Sequence, residues 1–187
     1  MLDSSGGWLG IGVPGRQRLS FRAVNRREFP GYDPGLQRHH ILPRQIKTMA
    51  CFAPMLRDIG PDRLPFDDFR TNGLLLPAND DTAVRIGLPL HRGPHRDCNA
   101  MVIERVGQIE AGWAATHRQA PEVALIEALE RLRLLQRALR RRLLDQQRRL
   151  KLNRHDPLGT GFDFTALDAM ADQLWPETEP GPGPASG

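Results

Sequence analysis

Four of the six histidines stand in two clusters, His39-His40 and His91-Arg92-Gly93-Pro94-His95, each beside turn-forming residues rather than inside an apolar run. Imidazole ligates divalent metals and, with a pKa near ~6.5, accepts protons at neutral pH. Neighbouring side chains of a strand point to opposite faces, so His39 and His40 divide between two roles, one facing a metal and the other a substrate. Gly93-Pro94 interrupts the second cluster, which sets His91 just before a helix and His95 in its first turn. Two imidazoles meeting at a helix amino terminus suit a divalent ion, and the helix end itself favours a phosphate nearby. Cys51 and Cys98 match no CxxC pattern, so histidine and oxygen must supply any metal ligands. His117, past the end of the first long helix, and His155, in a loop, read as structural residues.

Several elements must position these groups. Turn signals recur through residues 1–37, which read as an irregular Gly/Pro-rich arm with a short strand at 18–24. Short apolar groups separated by Asn, Asp, Gly and Pro between residues 38 and 77 predict short strands with connecting loops. Among them Asn72-Gly73, leading into Leu74-Leu75-Leu76-Pro77, reads as a hairpin turn between the two histidine clusters. Apolar spacing predicts a helix over about 94–116 and a second over about 121–152. In the second, Leu125, Leu129, Leu132, Leu139, Leu143 and Leu150 fit a heptad with Gln136 and Gln146 at the remaining seam positions. That seam favours packing on the helix's own domain over homodimerisation through 121–152. A capping box at Thr165-Ala166-Leu167-Asp168 predicts a third helix, and the residues after Trp175 read as a disordered tail. The expected division is an arm (1–37), a core (38–116), a helical extension (117–175) and a tail (176–187).

The chain has 187 residues, with 26 Lys+Arg against 22 Asp+Glu, a formal charge of +4 and a pI near 9.8. At 40% hydrophobic and a mean hydropathy of −0.45, it has the composition of a globular domain with no apolar run fit to span a bilayer. The start MLDSSGGWLG carries no Sec-type signal, so the expected location is cytoplasmic, with delivery to another cell as the alternative for a toxin. Charge is unevenly spread: +5 over residues 1–60, −2 over 61–110, +7 over 111–155 and −6 over 156–187. Two basic segments around a slightly acidic middle suit a polyanion, and equally suit solvated helix faces.

The order His-His, strand hairpin held by an asparagine, then helix bearing His is the ββα-metal arrangement of His-Me finger nucleases. RHHILP (38–43), DDFRTNGLLLP (67–77) and LHRGPH (90–95) followed by Asn99 resemble the AHH family of HNH/endonuclease VII-type nucleases, known mainly as toxin modules of bacterial polymorphic toxin systems. The resemblance covers about residues 38–110; Arg38 stands where the family has alanine, and Cys98 where it often has an aromatic residue. It implies an α+β fold with a small ββα-metal, treble-clef-like core, here followed by an added long C-terminal helix. The implied activity is metal-dependent hydrolysis of phosphodiester bonds in DNA or RNA, DNA favoured.

By that resemblance His40 is the general base, and His39, His91 and His95 are the metal ligands. The usual prediction for the family differs, with the first histidine on the metal and the other three activating water. Asn99, four residues after His95, is a further candidate ligand. Asn72 acts indirectly, its amide bridging backbone groups so that His40 is held in place. Arg44, Lys47, Arg92 and Arg96 flank the histidines as candidate phosphate contacts. Magnesium, manganese, zinc and nickel are the candidate ions: imidazole ligands lean toward zinc or another transition ion, whereas phosphate and waters would also accept magnesium. A cognate immunity protein is the partner a toxin would imply. The competing reading is a catalytically inactive nucleic-acid- or partner-binding module whose histidines hold a structural metal.

Overall fold

The computed structural model describes residues 17–93, 95–147, 150–152 and 156–158. The fold is α+β: strands β1 (Leu36–His40) and β2 (Gly73–Pro77), with helices α1 (Ala53–Ile59), α2 (Phe69–Asn72), α3 (Asp80–Ile86), α4 (Arg96–His117) and α5 (Pro121–Leu144). Short 3₁₀ turns occupy Phe21–Ala23, Arg44–Thr48 and Ala50–Phe52. The strands pair antiparallel from Leu36 opposite Pro77 to His40 opposite Gly73. Period-2 alternation buries Leu74 and Leu76 on one face of β2 and His39 on the matching face of β1.

No tight hairpin joins the two strands. Residues 41–72 intervene, and Asn72-Gly73 is the end of α2 running into β2. The amide nitrogen of Asn72 bonds the Asp68 carbonyl at 2.9 Å, as a last helical turn requires. Gly73 has an extended backbone (φ −115°), so its role is steric rather than conformational: a Cβ there would collide with the Phe69 ring. The stretch from Phe52 to Leu56, expected as strand, is largely helical, because Phe52, Met55 and Ile59 repeat at three and four residues and all three are buried. The strand expected at 18–24 is instead one isolated bridge, Ser20 to Asp68, followed by a 3₁₀ turn capped by the Ser20 hydroxyl.

Helix α3 obeys local rules. Asn79 caps its start by accepting from the Thr82 amide at 2.9 Å, and Gly87 closes it at φ +69°, where a side chain would be strained. Helix α4 begins at Arg96, directly after His95, and follows a left-handed Gly93 (φ +77°). It buries Val102, Val106, Ile109 and Trp113 on one face. That face packs on α5, whose Leu129, Leu132, Leu139 and Leu143 are buried. Leu129, Leu132, Leu139 and Leu143 of the seam are thus covered within the chain itself, whereas Leu125 and Gln136 are only partly buried. Among the described residues one hydrophobic cluster runs from Ile41 to Leu152.

Helix α5 ends at Leu144, earlier than its periodicity predicts. Asp145 leaves the helix and accepts the Gln147 amide at 2.9 Å, a side-chain competition with the backbone that stops helices. Leu150 and Leu152 remain buried although they are no longer helical. The capping box at 165–168, His155 and the expected tail lie outside the described residues. No helix among the described residues is long and apolar enough to cross a membrane.

Candidate metal centre and active site

The three histidines His39, His91 and His95 come from three separate places. His39 is the buried fourth residue of β1, 6% exposed. His91 lies beyond α3, its backbone amide donating to the carbonyl of Pro77 at the end of β2 at 2.7 Å. His95 caps the amino terminus of α4 without a side-chain bond to that helix, which leaves its ring to turn elsewhere. The rings meet: centroids lie 4.8 Å apart for His39–His91, 5.6 Å for His39–His95 and 4.4 Å for His91–His95. One nitrogen from each lies within 4.8 Å of the others. Bonds of about 2.1 Å to a shared tetrahedral ion would bring such nitrogens to about 3.4 Å, a modest inward shift.

Two of these rings are oriented from behind. The Leu152 carbonyl can only accept, so His95 Nδ1, 3.4 Å away, carries the proton in that bond. His91 Nδ1 lies 3.2 Å from Gln37 Oε1 and donates in the same sense. Each such bond favours the tautomer that leaves Nε2 with its lone pair, the arrangement seen behind metal-bound histidines. Burial, and then the neighbouring His91 and His95, pushes the His39 pKa down to about 3. Burial and His95 push His91 to about 4, and burial lowers His95 as well. All three are therefore neutral at physiological pH, as ligation requires. The donor set fits a divalent ion. Cys98, on the first turn of α4, does not join it: burial pushes its thiol up to about 12.

His40 takes the other face of β1. Its ring stacks on Phe21 at 3.6 Å with an interplanar angle of 4°. Its Nε2 is buried and has no hydrogen-bond partner among the described residues. Burial lowers its pKa, Arg44 and Lys47 lower it further, and Asp67 opposes them. Arg38, where the resemblance leads one to expect alanine, donates to the carbonyls of Phe21 and Val24 at 3.1 and 3.4 Å. It thereby ties down the segment that carries the stacking ring.

Asn72 is fully buried. Its Oδ1 accepts the Leu42 amide at 2.8 Å, and its Nδ2 donates to the carbonyls of Leu42 and Phe66 at 3.1 and 3.0 Å. With the Ile41 amide bonded to the Asn72 carbonyl at 2.9 Å, the two residues after His40 are pinned to α2. Arg44 and Lys47 gather on one exposed carboxylate, Asp67, at 3.7 and 2.8 Å. Arg92 and Arg96 are exposed on either side of the turn into α4, and Asn99 is part-exposed one turn after His95, its amide bonded to the His95 carbonyl at 2.8 Å.

Sequence spacing did not point to Gln37, Leu152, Phe21 or Asp67. Gln37, two residues before His39 on the same strand, was open to a period-2 reading; the others reach the site through contacts that no local pattern encodes. Gln37 and Arg38 also line a polar depression of about 740 Å³ with Arg22, Arg26 and Arg27.

The chain matches the family model described as AHH, a nuclease family of the HNH/ENDO VII superfamily with conserved AHH, over residues 20–139. Comparison with curated proteins and with solved structures gives no match. Superfamily nucleases use divalent metals, and here three histidines stand close enough to hold one ion. The match spans more than half of the chain and includes both histidine clusters and Asn72, so this protein belongs to the AHH family of HNH/ENDO VII nucleases.

Proposed function

We propose that the protein is a metal-dependent endonuclease of the ββα-metal type, with β1, β2 and α4 as the metal-binding unit and DNA as the favoured substrate. The observation that carries this reading is the convergence of His39, His91 and His95 on one side of β1 while His40 takes the other. A divalent ion held by these three residues, with Asn99 as a further ligand, would supply charge neutralisation at a phosphate oxygen and at the departing 3′ oxygen. The Nδ1 partners of His91 and His95 favour ligand roles for both over roles in activating water.

His40 acts as general base. With Nε2 buried, Nδ1 is the nitrogen a water would reach; the lowered pKa keeps the ring neutral at neutral pH, and the base role requires the tautomer whose one proton sits on Nε2. Asn72 touches no substrate; by pinning Ile41 and Leu42 it fixes the strand end from which His40 projects. Arg44 and Lys47 exchange their shared Asp67 for phosphate oxygens when substrate arrives, and Arg92 and Arg96 contact the backbone on the α4 side. The depression beside Gln37 and Arg38 holds phosphates next to the metal centre.

Incubation of supercoiled plasmid with Mg²⁺, Mn²⁺, Zn²⁺ or Ni²⁺ tests the reading. Nicking that chelation stops and His40→Ala removes, with DNA binding retained, is expected. Absence of cleavage of DNA and RNA with every ion would leave the inactive binding module as the better account. The family resemblance also supports a polymorphic-toxin role with a cognate immunity protein. Induction in a sensitive host should then arrest growth, and healthy growth under strong expression overturns that role.

A further inference from the structure

Five arginines from two distant parts of the chain line one depression of about 470 Å³: Arg63 and Arg70 before Asn72, and Arg133, Arg137 and Arg140 on α5. The spacing 133, 137, 140 places the second group along one face of the helix. Asp62 is the acidic residue of that lining, and its carboxylate is already 2.5 Å from the Arg18 guanidinium. Three of the five side chains build the walls. Arg140 donates to the carbonyls of Arg70, Thr71 and Gly73 at 3.0, 3.1 and 3.1 Å, closing the carboxyl end of α2. Arg133 bonds Glu130 at 2.8 Å and the Arg63 carbonyl at 3.4 Å, and Arg70 donates to the Gln17 carbonyl. Arg63 and Arg137 are exposed, and their guanidinium groups make no hydrogen bond or ion pair with a described residue.

Guanidinium groups held this close repel one another, and an anion relieves the repulsion. The planar fork of arginine matches phosphate oxygens two at a time, and this depression has room for more than one phosphate. A run of backbone therefore fits better than a lone ion. The depression also adjoins the site: Gln136 lines it and donates to Asn72 Oδ1 at 2.9 Å.

We propose that this arginine-lined depression is a second nucleic-acid contact, which holds the phosphate backbone of the substrate away from the metal centre. The identity of the polyanion rests on the nuclease reading above; the basic depression does not.

The test uses the full chain under chelation, so that binding is read without cleavage. Fluorescence anisotropy with a short labelled DNA duplex across a salt series compares the wild type with the double variant Arg63→Gln/Arg137→Gln. Loss of two phosphate contacts should weaken binding by about tenfold or more and flatten the slope of log K against log salt by about 1.8. An unchanged affinity and slope, in a variant whose thermal midpoint matches wild type, overturns the proposal. Displacement of the duplex by polyglutamate of equal charge as readily as by unlabelled DNA also overturns it, because an acidic protein would then be the occupant. Hydrolysis of the small diester bis(4-nitrophenyl) phosphate reports the metal centre separately. If wild type fails there with every ion while the variant still binds more weakly with a flatter salt slope, the nuclease reading falls and the contact stands.

Discussion

Gln136 of α5 donates its Nε2 to Asn72 Oδ1 at 2.9 Å, and the same oxygen accepts the Leu42 amide at 2.8 Å. One carbonyl oxygen thus joins the long helix to the strand end that carries His40. The α5 helix therefore supports the site as well as the core.

Replacing Asn72 by alanine should destabilise the protein by about 2–5 kcal/mol, because buried groups of Leu42 and Phe66 lose their partners and a cavity remains. Gln136→Leu removes a single bond and should cost about 1 kcal/mol. Urea unfolding measures both. The kcat of plasmid nicking by folded Gln136→Leu should fall, since the residue acts through Asn72. An unaffected turnover would detach α5 from the site.

A metal that binds only the folded state adds about 2.7 kcal/mol at a hundredfold excess over Kd. Zinc should raise the thermal midpoint of wild type, and chelation should reverse the rise. His39→Ala and His95→Ala should each abolish it, as each removes a ligand from the trio. A midpoint that zinc still raises in both variants would move the ion elsewhere.

Stability of the metal-free protein should fall as the solution is acidified. The pKa of His39 is about 3 when folded against about 6.5 when unfolded, so below pH 6.5 the unfolded chain binds a proton that the folded chain refuses. The sign is a loss on acidification, about 1.4 kcal/mol per pH unit from this residue, continuing down to its folded pKa. His91 and His95 act in the same direction, to a lesser extent because both are partly exposed. Chemical unfolding at several pH values in the presence of chelator should show this slope, and His39→Leu should flatten it.

The Phe21 stack shields His40. Phe21→Ala should make His40 react faster with diethyl pyrocarbonate, as read by peptide mass spectrometry, and should lower turnover by loosening the ring. Equal modification rates would show that the segment around Phe21 does not cover the base.

Much of this protein is written in local patterns. The two histidine clusters, the start of α4 after Gly93, and the leucine seam of α5 are all visible in the chain because caps, turns and helical periodicity act over a few residues. Even α3 carries its signals, Asn79 before it and Gly87 after it. Periodicity tells which face is apolar; it does not tell what covers that face. Asn72-Gly73 looks like a hairpin turn because its composition suits one, yet the buried demands of Leu42 and Phe66 capture the amide and the Phe69 ring takes the space beside the glycine. The partners that orient the site lie far along the chain: Gln37 and His91 are 54 residues apart, His95 and Leu152 are 57, and Asn72 and Gln136 are 64. Sequence alone determined where the candidate histidines stand and which short elements flank them. Only the tertiary structure decided which nitrogens face inward, because that choice depends on hydrogen-bond partners brought together by the packing of α4, α5 and the residues beyond them.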